Sequence, residues 1–547
     1  MKGRNHHEAA ERNRGIMKGE HSICWRRTTW GALLLLALVR VQAQLPVVAG
    51  DVQITVRQRV DYGYCPGIVV GLMNTNGSTY FSCGRMDLEG GPAVDEHTLF
   101  EIGSIGKVFT STLLADMAQR GELELTNAIQ SYLPEGVTAP TWLEQPITLT
   151  HLATHTSGLP AWWSNLNPTE GDNPFARYTT ELMYEFLASY ELTRAPGAAY
   201  EYSNYGMGLL GQLLGRLAGA SYSTLVVTRI ADELGLPDTR IDLSPNQQVR
   251  LARGYSGVLP IPPLEMGALE GAGAWRSTAK DMLTFLAANR GWLATRLQPA
   301  MIEAQRSRYP TGTPGLSIGL GWHLYTVGSG TFVWHNGATF GQRAFAGFRR
   351  NGPSLAVALA NSDYDVTDIG FHLLDTSAPL TSVRRPATVP ELILRHYVGR
   401  YESDDGDTFT IGLRRAHLTL EYEYRPELFR TFTLHPSSAN RFYLTFPEAS
   451  ATFVTNSVGR PTELVWTQSG TTYTCPKVHV PSSLTLRRVN GVVQLDLSGD
   501  TDRDYVIQAS TDFCHWVDLS TSTIWDSPIV DPESAAVNHR FYRVLEP

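Results

Sequence analysis

The sequence predicts an α/β domain with a largely antiparallel sheet and a helical middle, followed by two small all-β domains. Two strand-like runs joined by an Asn-Gly turn open the first domain between Cys65 and Gly84, and alternating apolar and polar residues return over 320–360. Segments between them show the apolar spacing of helices. At 547 residues the chain exceeds the usual size of one core, so several domains are expected.

Residues 1–43 have the pattern of a secretory signal peptide. Arg26 and Arg27 precede an apolar stretch over 31–39, and Val-Gln-Ala at 41–43 has the small residues of a cleavage site. We therefore expect export to the periplasm or the extracellular space, with cleavage after Ala43; Met17 is an alternative start. No segment reaches the ~20 apolar residues that span a bilayer, so we expect no membrane span in the mature chain.

Charge and cysteine content exclude several classes of function. Removal of residues 1–43 takes away eight basic and three acidic side chains, which changes the net charge from −8 to −13. We therefore expect no nucleic-acid partner. The four remaining cysteines lack the spacing of a zinc site, so no metal and no cofactor are expected. They permit two disulfides, and Cys65 with Cys83, which flank the predicted hairpin, are the favoured pair.

The other elements of the first domain follow from apolar periodicity, capping residues and breakers. In chain order they are a helix over about 105–120 opened by Ser104 at a capping position, a short helix within 146–160, a Gly-rich buried helix over 205–217, a helix over 277–288 capped by Ser277 or Thr278, and three strands over 320–360.

Ser104 and Lys107 form a Ser-x-x-Lys pair. Side chains three residues apart share one face of a helix, so the hydroxyl and the amine can come within hydrogen-bonding distance. A serine hydroxyl becomes an effective nucleophile when a neighbouring base takes its proton, and burial makes a lysine such a base by lowering its pKa. The pair alone is a weak signal, because Ser-x-x-Lys occurs by chance in long chains.

Flanking motifs make the signal specific. Phe-Glu-Ile-Gly-Ser-Ile-Gly-Lys at 100–107, Tyr-Ser-Asn at 202–204 and His-Asn-Gly at 335–337 occur in the order of the three motifs of class C β-lactamases and related penicillin-binding proteins, which the chain resembles over about 60–375. The resemblance implies a β-lactamase/transpeptidase-like fold. The chain departs from the family at Gly106, where Ser or Ala is usual, and at His335, where class C lactamases have the Lys of Lys-Thr-Gly.

The resemblance implies roles for the catalytic candidates. Ser104 would form an acyl-enzyme, and Lys107 and Tyr202 would share the proton transfers, with a Lys107 ammonium lowering the pKa of Tyr202. The backbone N–H groups of Ser104 and Ala338 would form the oxyanion hole. His335 would supply the polarisation or substrate recognition that lysine supplies in relatives.

Four further residues are candidates for substrate binding. Asn204 would hold the amide side chain of the substrate and orient Lys107, and Asn336 and Gly337 belong to the third motif. Arg343 follows that motif and has two equal interpretations, as a ligand of a substrate carboxylate or as a solvated strand residue.

Each candidate also has a purely structural interpretation. Ser104 and Asn204 would then be helix caps, Lys107 a solvated helix residue, Tyr202 a buried aromatic and His335 a strand histidine with a structural hydrogen bond. The agreement of all three motifs favours the catalytic interpretation.

Two other patterns resemble catalytic motifs and are interpreted as structural. Ser317 lies in a Gly-x-Ser-x-Gly string, but this string continues as a strand and lacks the strand-turn-helix context of a nucleophile elbow. His151 and His155 are four residues apart like the zinc ligands of a His-Glu-x-x-His motif, but the Glu of that motif is absent.

The region beyond a linker near 381–390 has the pattern of short strands throughout. Tyr-Val-Gly-Arg-Tyr at 397–401 resembles the opening of the lipocalin-like β-barrel that often follows this hydrolase domain, and the last segment resembles small β-sandwich modules of secreted bacterial proteins. The predicted layout is a signal peptide over 1–43, the hydrolase domain over 44–380, the barrel over 388–480 and the β-sandwich-like module over 481–547.

The substrate is less determined than the nucleophile. The resemblance implies a small β-lactam or a peptidoglycan-type D-Ala amide. An esterase on short acyl esters is the first alternative, because histidine carries less positive charge than lysine near neutral pH. A penicillin-binding or cell-surface protein without hydrolytic activity is the second.

Overall fold

The computed structural model describes residues 44–161, 163–166, 173–423, 429–445 and 448–546. The predicted signal peptide, residues 1–43, lies outside the described residues. Within the described ranges, none of the helices has the length and apolar character needed to cross a membrane.

The first domain contains a large antiparallel sheet and three short hairpins or strand pairs. Its strands are β1 (Gly67–Asn74), β2 (Gly77–Gly84), β3 (Phe100–Glu101), β4 (Thr141–Trp142), β5 (Gln145–Pro146), β6 (Gly254–Ser256), β7 (Leu259–Ile261), β8 (Arg276–Ser277), β9 (Tyr309–Pro310), β10 (Leu316–Ile318), β11 (His323–Val327), β12 (Gly330–Ala338), β13 (Arg343–Arg349) and β14 (Leu355–Ala360). The large sheet has the order β2-β1-β14-β13-β12-β11-β10-β9, while β3 pairs with β8, β4 with β5 and β6 with β7.

The helices lie between and around these strands. They are α1 (Gly50–Asp61), α2 (Gly106–Gln119), α3 (Leu149–Ala153), α4 (Thr180–Ser189), α5 (Asn204–Ala218), α6 (Tyr222–Val226), α7 (Asp232–Leu234), α8 (Pro245–Gln248), α9 (Glu270–Gly273), α10 (Ala279–Arg290), α11 (Gln298–Ala304) and α12 (Thr367–Leu374). The predicted α/β class, hairpin and helical middle are confirmed.

Helices cover both faces of the sheet because successive strand residues point in opposite directions. Val69 of β1 belongs to the larger core, which includes Phe109 of α2 and Leu283 of α10. Its neighbour Ile68 belongs to a second core with Val52 of α1. The larger core surrounds α2, which carries the Ser-x-x-Lys lysine and has twelve buried residues among its fourteen.

Three expectations about local structure are wrong. Ser104 does not cap α2: it lies inside a 3₁₀ turn over Gly103–Ile105 that runs directly into the helix, and its hydroxyl makes no capping bond. Asn204 does not cap α5 either, because Ser203 accepts the hydrogen bond from the Gly206 N–H and Asn204 is the first helical residue. The segment 320–360 holds four strands rather than three. For α10, Thr278 is the cap.

The expected Cys65–Cys83 disulfide is also absent. All four cysteines among the described residues are free. Strand β2 places Cys83 opposite Ile68, whereas Cys65 precedes β1. The two residues are therefore not cross-strand partners, although the hairpin itself is as predicted.

The next region forms an eight-stranded antiparallel sheet after one helix, and we call it the eight-stranded domain. It consists of α13 (Glu391–Tyr397), β15 (Gly399–Glu402), β16 (Thr408–Arg414), β17 (His417–Glu423), β18 (Phe429–Pro436), β19 (Arg441–Leu444), β20 (Ala449–Thr455), β21 (Pro461–Gln468) and β22 (Thr471–Pro476). Its strands follow one another in chain order, and a bridge between Tyr401 and Lys477 joins the first edge to the last.

The final region contains two three-stranded sheets, in agreement with the expected small all-β unit. Its strands are β23 (Ser483–Val489), β24 (Val492–Ser498), β25 (Tyr505–Ser510), β26 (Val517–Ser522), β27 (Ile529–Asp531) and β28 (Phe541–Leu545). One sheet has the order β23-β24-β27 and the other β26-β25-β28. Leu495, Tyr505 and Ile507 are fully buried between them.

Candidate active site

Ser104 lies where the 3₁₀ turn meets β12, and two glycines allow this close approach. Gly103 has φ +48°, and a Cβ on it would lie 2.8 Å from the Ala338 nitrogen. A Cβ on Gly337 would lie 1.9 Å from the Ile102 oxygen and 3.3 Å from the Ser104 nitrogen. The backbone of β12 therefore passes directly beside the backbone of the nucleophile turn, and Ser104 itself remains partly exposed.

Lys107 is fully buried, and its amine contacts three oxygens. Nζ lies 2.9 Å from Ser104 Oγ, 2.8 Å from Asn204 Oδ1 and 2.6 Å from the Ala272 carbonyl oxygen. Burial lowers the pKa of Lys107 well below its usual range. A neutral amine has two N–H donors for the amide and carbonyl oxygens, and its lone pair is left to accept the Ser104 proton.

Tyr202 covers the amine. Lys107 Nζ lies 4.8 Å from the centroid of the Tyr202 ring. Burial raises the pKa of Tyr202 above that of free tyrosine, and a hydrogen bond with the Ser104 side chain opposes this only in part. The expectation that a Lys107 ammonium lowers the pKa of Tyr202 is therefore wrong: burial disfavours the phenolate of Tyr202 and the ammonium of Lys107 alike.

His335 belongs to a group of three buried histidines that we call the histidine wall: His155, His323 and His335. The His323 and His335 ring centroids are 4.8 Å apart, and the His155 ring centroid lies 4.4 Å from that of Tyr202. Tyr200 contributes a hydroxyl 3.3 Å from His323 Nε2. The wall thus lines one side of the pair formed by Tyr202 and Lys107.

All three imidazoles of the wall are neutral near pH 7. Burial lowers the pKa of His335 well below its usual range. Burial also lowers the pKa of His155 far below 6.5 and that of His323 to about 4. One ring nitrogen of each histidine is buried without a partner, which disfavours a charge there further. His335 therefore does not supply the fixed positive charge of a lysine.

The hydrogen bonds of the wall fix two tautomers. His335 Nδ1 lies 2.5 Å from the Asn336 carbonyl oxygen, so Nδ1 carries the proton and Nε2 is an acceptor. His155 Nδ1 accepts from the Ser203 N–H, so its proton is on Nε2.

Some of the predicted substrate-binding residues lie beside Lys107 and the nucleophile turn, and others make contacts within the protein. Asn204 contacts Lys107, and Gly337 and Ala338 lie beside the nucleophile turn. Asn336 donates to Thr367 Oγ1 of α12, on the other face of the strand from His335. Arg343 donates to the carbonyls of Thr339 and Gln342 and so braces the turn after β12. Its binding of a substrate carboxylate stays a prediction.

Neither alternative motif forms a second site. The Ser317 hydroxyl in β10 is bonded to Ser307 Oγ. His151 Nδ1 accepts from the Thr148 N–H at the start of α3. In the ranges that the structure describes, His, Cys, Asp and Glu side chains form no group of three or more that could hold a metal.

Sequence reasoning missed His323, Tyr200 and the Ala272 carbonyl. His155 was noted, but as half of a false metal pair. His323 directly follows the Gly-Leu-Gly-Trp string, and no spacing rule connects it to His335.

The chain is similar to known proteins over most of its first domain and over the region that follows it. The profile of the Beta-lactamase family matches residues 52–373, and that of a domain of unknown function (DUF3471) matches residues 383–478. A Beta-lactamase of Escherichia coli (strain K12) is 30% identical over 305 residues, which cover 54% of this chain and 76% of that protein. The D-alanyl-D-alanine-carboxypeptidase/endopeptidase AmpH of the same organism is 28% identical over 314 residues, 54% of this chain and 80% of that protein.

Solved structures show the same fold. A class C beta lactamase from Rhodobacter sphaeroides superposes with a TM-score of 0.51 at 25% identity and covers 58% of this chain and 95% of that one. A Beta-Lactamase/D-Alanine Carboxypeptidase from Pseudomonas syringae superposes with a TM-score of 0.52 at 23% identity. The match covers 60% of this chain and 98% of that one. The chain belongs to the Beta-lactamase family and is a serine hydrolase of the β-lactamase type.

Proposed function

We propose that this protein is an exported hydrolase that cleaves β-lactam or D-Ala-type amide bonds through an acyl-enzyme on Ser104. The observation that carries the proposal is the fully buried Lys107 amine 2.9 Å from Ser104 Oγ. Burial lowers the pKa of Lys107 and so favours the neutral form that can accept a proton, and the 3₁₀ turn that runs into α2 places the two side chains next to each other.

The residues carry the acylation step as follows. Ser104 Oγ attacks the carbonyl carbon of the substrate while its proton passes to Lys107 Nζ. The carbonyl oxygen becomes an oxyanion that the N–H groups of Ser104 and Ala338 stabilise. The bond to the leaving group then breaks, and the proton passes from Lys107 through the Tyr202 hydroxyl to that group. In deacylation a water molecule attacks the acyl carbonyl carbon while its proton passes to Lys107 Nζ; the bond to Ser104 Oγ then breaks, Oγ takes up that proton, and the acid leaves.

The raised pKa of Tyr202 is consistent with a role in proton transfer to the leaving group. A protonated phenol donates to the leaving group, and Lys107 restores the proton without a phenolate ever persisting. Asn204, whose side-chain oxygen holds one Lys107 proton, orients the lone pair toward Ser104. Asn204 and Gly337 line the groove where the substrate amide would lie.

A second candidate function is hydrolysis of uncharged acyl esters, and the histidine wall favours it. Substrate carboxylates are recognised best by fixed cations such as lysine or arginine. His335 is neutral, and Arg343 already donates to two backbone carbonyls. The site therefore offers less attraction to an anionic β-lactam than a Lys-Thr-Gly site would.

The layout proposed with this function places the reaction in residues 44–380 and assigns 388–480 and 481–547 to accessory β domains. The predicted signal peptide over 1–43 supports export to the periplasm or the extracellular space.

Purified residues 44–547 should hydrolyse nitrocefin or a p-nitrophenyl ester, and Ser104→Ala should abolish this turnover. Ser317→Ala is the matched control, since it removes a hydroxyl from the competing Gly-x-Ser-x-Gly string. Undiminished turnover in Ser104→Ala would disprove the mechanism. Comparing kcat/KM for nitrocefin, a D-Ala-D-Ala peptide and a short acyl ester then separates the two candidate functions. A stable penicilloyl adduct without turnover would instead identify a penicillin-binding protein.

A further inference from the structure

The eight-stranded domain packs directly against the first domain, and its side chains are buried at the contact. The His435 ring of β18 stacks on Tyr64 with centroids 4.8 Å apart, and the Tyr64 and Tyr443 hydroxyls are 2.8 Å apart. Thr433 and His435 are each 6% exposed. The two domains are therefore packed closely at this contact, so a shift of β18 would displace the first-domain residues that it touches.

Strand β18 is in close contact with the tip of the β6–β7 hairpin through Thr433. The Val258 N–H donates to Thr433 Oγ1 at 3.0 Å, and this bond is buried. Gly257 at the tip has φ +57°, and a Cβ on it would lie 2.0 Å from Thr433 Oγ1 and 2.4 Å from Thr433 Cβ. Glycine is therefore required here both by backbone conformation and by the approach of Thr433.

The other end of the hairpin holds the turn that follows β12. The Tyr255 N–H donates to the Gly341 carbonyl at 2.9 Å. Gly341 packs so closely that a Cβ on it would lie 2.7 Å from the Tyr255 nitrogen and 2.9 Å from Ile261 Cβ. The turn is closed by the Thr339 N–H, which donates to the Gln342 carbonyl. The hairpin thus braces the segment directly after Ala338.

Gln342 connects this turn to the nucleophile segment. Its side chain is 2% exposed, accepts from the Glu101 N–H at 3.1 Å and donates to the Ala252 carbonyl at 2.9 Å. Glu101 lies in β3, three residues before Ser104. Both backbone segments that would form the oxyanion hole are therefore tied to the hairpin through the turn.

One side of the β6–β7 hairpin faces a cavity, so its position depends on the contacts that it makes on its other sides. A cavity of about 420 Å³ lies between it and β3, and Pro260, Pro263 and Gln342 are among the lining residues. Side chains do not fill this space, so contacts on the other sides hold the hairpin. Gly341 accepts from the Tyr255 N–H at its base, Asp363 accepts from Ser256 Oγ and the Gly257 N–H, and Thr433 accepts from the Val258 N–H at the tip.

We propose that the eight-stranded domain is a positioning element of the hydrolase site, in which Thr433 holds the β6–β7 hairpin against the turn after β12 and so fixes the Ala338 N–H for the oxyanion. The proposal rests on the function proposed above for Ser104 and Ala338. Thr433 and Gly257 are positioning residues in this account, because neither touches the reacting atoms. Close contacts can transmit a displacement from one segment to the next, and the contacts of Thr433 with Gly257 and of Gly341 with Tyr255 are close.

Two substitutions test the contact in the full mature chain. Thr433→Val keeps the shape but removes the acceptor of the Val258 N–H, and Gly257→Ala drives a methyl group into Thr433. Gly328→Ala is the matched control: Gly328 also has φ +57°, but a Cβ there would meet nothing within 4 Å. The control therefore reproduces the backbone strain without the domain contact.

We expect kcat with the better substrate to fall by roughly 10- to 100-fold in Thr433→Val and Gly257→Ala, with KM changed less than threefold, since displacement of catalytic groups by about 1 Å costs this much. Affinity for a boronic acid, whose adduct with Ser104 places an oxygen in the oxyanion hole, should fall in parallel. Gly328→Ala should retain kcat and boronate affinity. If Thr433→Val is folded and keeps the wild-type kcat and boronate affinity, the proposal is wrong.

Amide hydrogen exchange gives a readout that does not depend on turnover. Peptides covering 338–343 should exchange at least about tenfold faster in Thr433→Val than in the wild type or Gly328→Ala, because the turn loses its brace. Wild-type exchange rates in that segment of Thr433→Val would overturn the proposal even if Gly257→Ala failed to fold. An inactive wild-type enzyme with faster exchange in Thr433→Val would contradict the proposed function while supporting the bracing contact.

Discussion

Asn204→Asp tests whether a neutral Lys107 is the working base. The substitution preserves the shape of the side chain and places a carboxylate oxygen at the position of Asn204 Oδ1, 2.8 Å from Lys107 Nζ. An anion beside an amine favours the ammonium form. The substitution should therefore raise the pKa of Lys107 and remove the lone pair that accepts the Ser104 proton.

The geometry gives the size of the effect. A unit charge at 2.8 Å interacts with the ammonium by about 6 kcal/mol at an effective dielectric constant of about 20, which is an upper limit of roughly 4 pH units. Asn204 is partly exposed, so water reduces this effect toward the 1–3 units common for neighbouring opposite charges.

The assay is the pH dependence of kcat/KM with one substrate in wild type and variant. Activity should rise with pH as Lys107 loses its proton, and the midpoint of this rise should lie at least about one unit higher in Asn204→Asp. Asn127→Asp is the control, because Asn127 also acts as an acceptor but contacts Glu124 and Tyr132 rather than Lys107. An unchanged midpoint in a folded Asn204→Asp enzyme would refute the assignment of Lys107 as a neutral base.

Three further predictions follow from the site and its surroundings. Tyr202→Phe should lower kcat for an amide by about 10²–10⁴-fold but affect a p-nitrophenyl ester far less, because p-nitrophenolate leaves without a proton; equal losses on both substrates would contradict proton delivery by Tyr202. Gly337→Ala should lower kcat by about 10²–10³-fold, since the methyl group collides with the Ile102 oxygen and displaces the Ala338 N–H; boronate binding at wild-type affinity would contradict this. Burial and Asp242 raise the pKa of Glu270 to about 7, so the folded state keeps a proton that the unfolded chain releases, and the free energy of unfolding should fall by up to about 3 kcal/mol between pH 4.5 and 7. Glu270→Gln should remove that fall in chemical denaturation at the two pH values, and an identical pH dependence in the variant would be the contrary result.

The sequence predicted those parts of the site that depend on short spacing. Ser104 and Lys107 are three residues apart and share a helical face, so their contact follows from local geometry. The hairpin over 67–84 follows from its Asn-Gly turn in the same way. The family motifs placed Tyr202, Asn204 and His335 near this pair, and these residues do lie around the amine in the structure.

Properties that depend on burial were not predictable from the sequence. The pKa of Tyr202 was expected to fall, but it rises because burial of its hydroxyl disfavours the phenolate, and burial likewise lowers the pKa of Lys107. His323 and Tyr200 belong to the site through contacts with distant segments, which no local pattern encodes.

The most direct test of the central claim is to locate the covalent intermediate. A fluorophosphonate probe reacts with an activated serine, and peptide mass mapping identifies the modified residue. We expect a single phosphonylated serine, Ser104, with labelling abolished in Ser104→Ala and slowed strongly in Lys107→Ala. Labelling at another serine such as Ser317, or labelling of Ser104 at the wild-type rate in Lys107→Ala, would contradict the claim that Ser104 is the nucleophile and Lys107 its base.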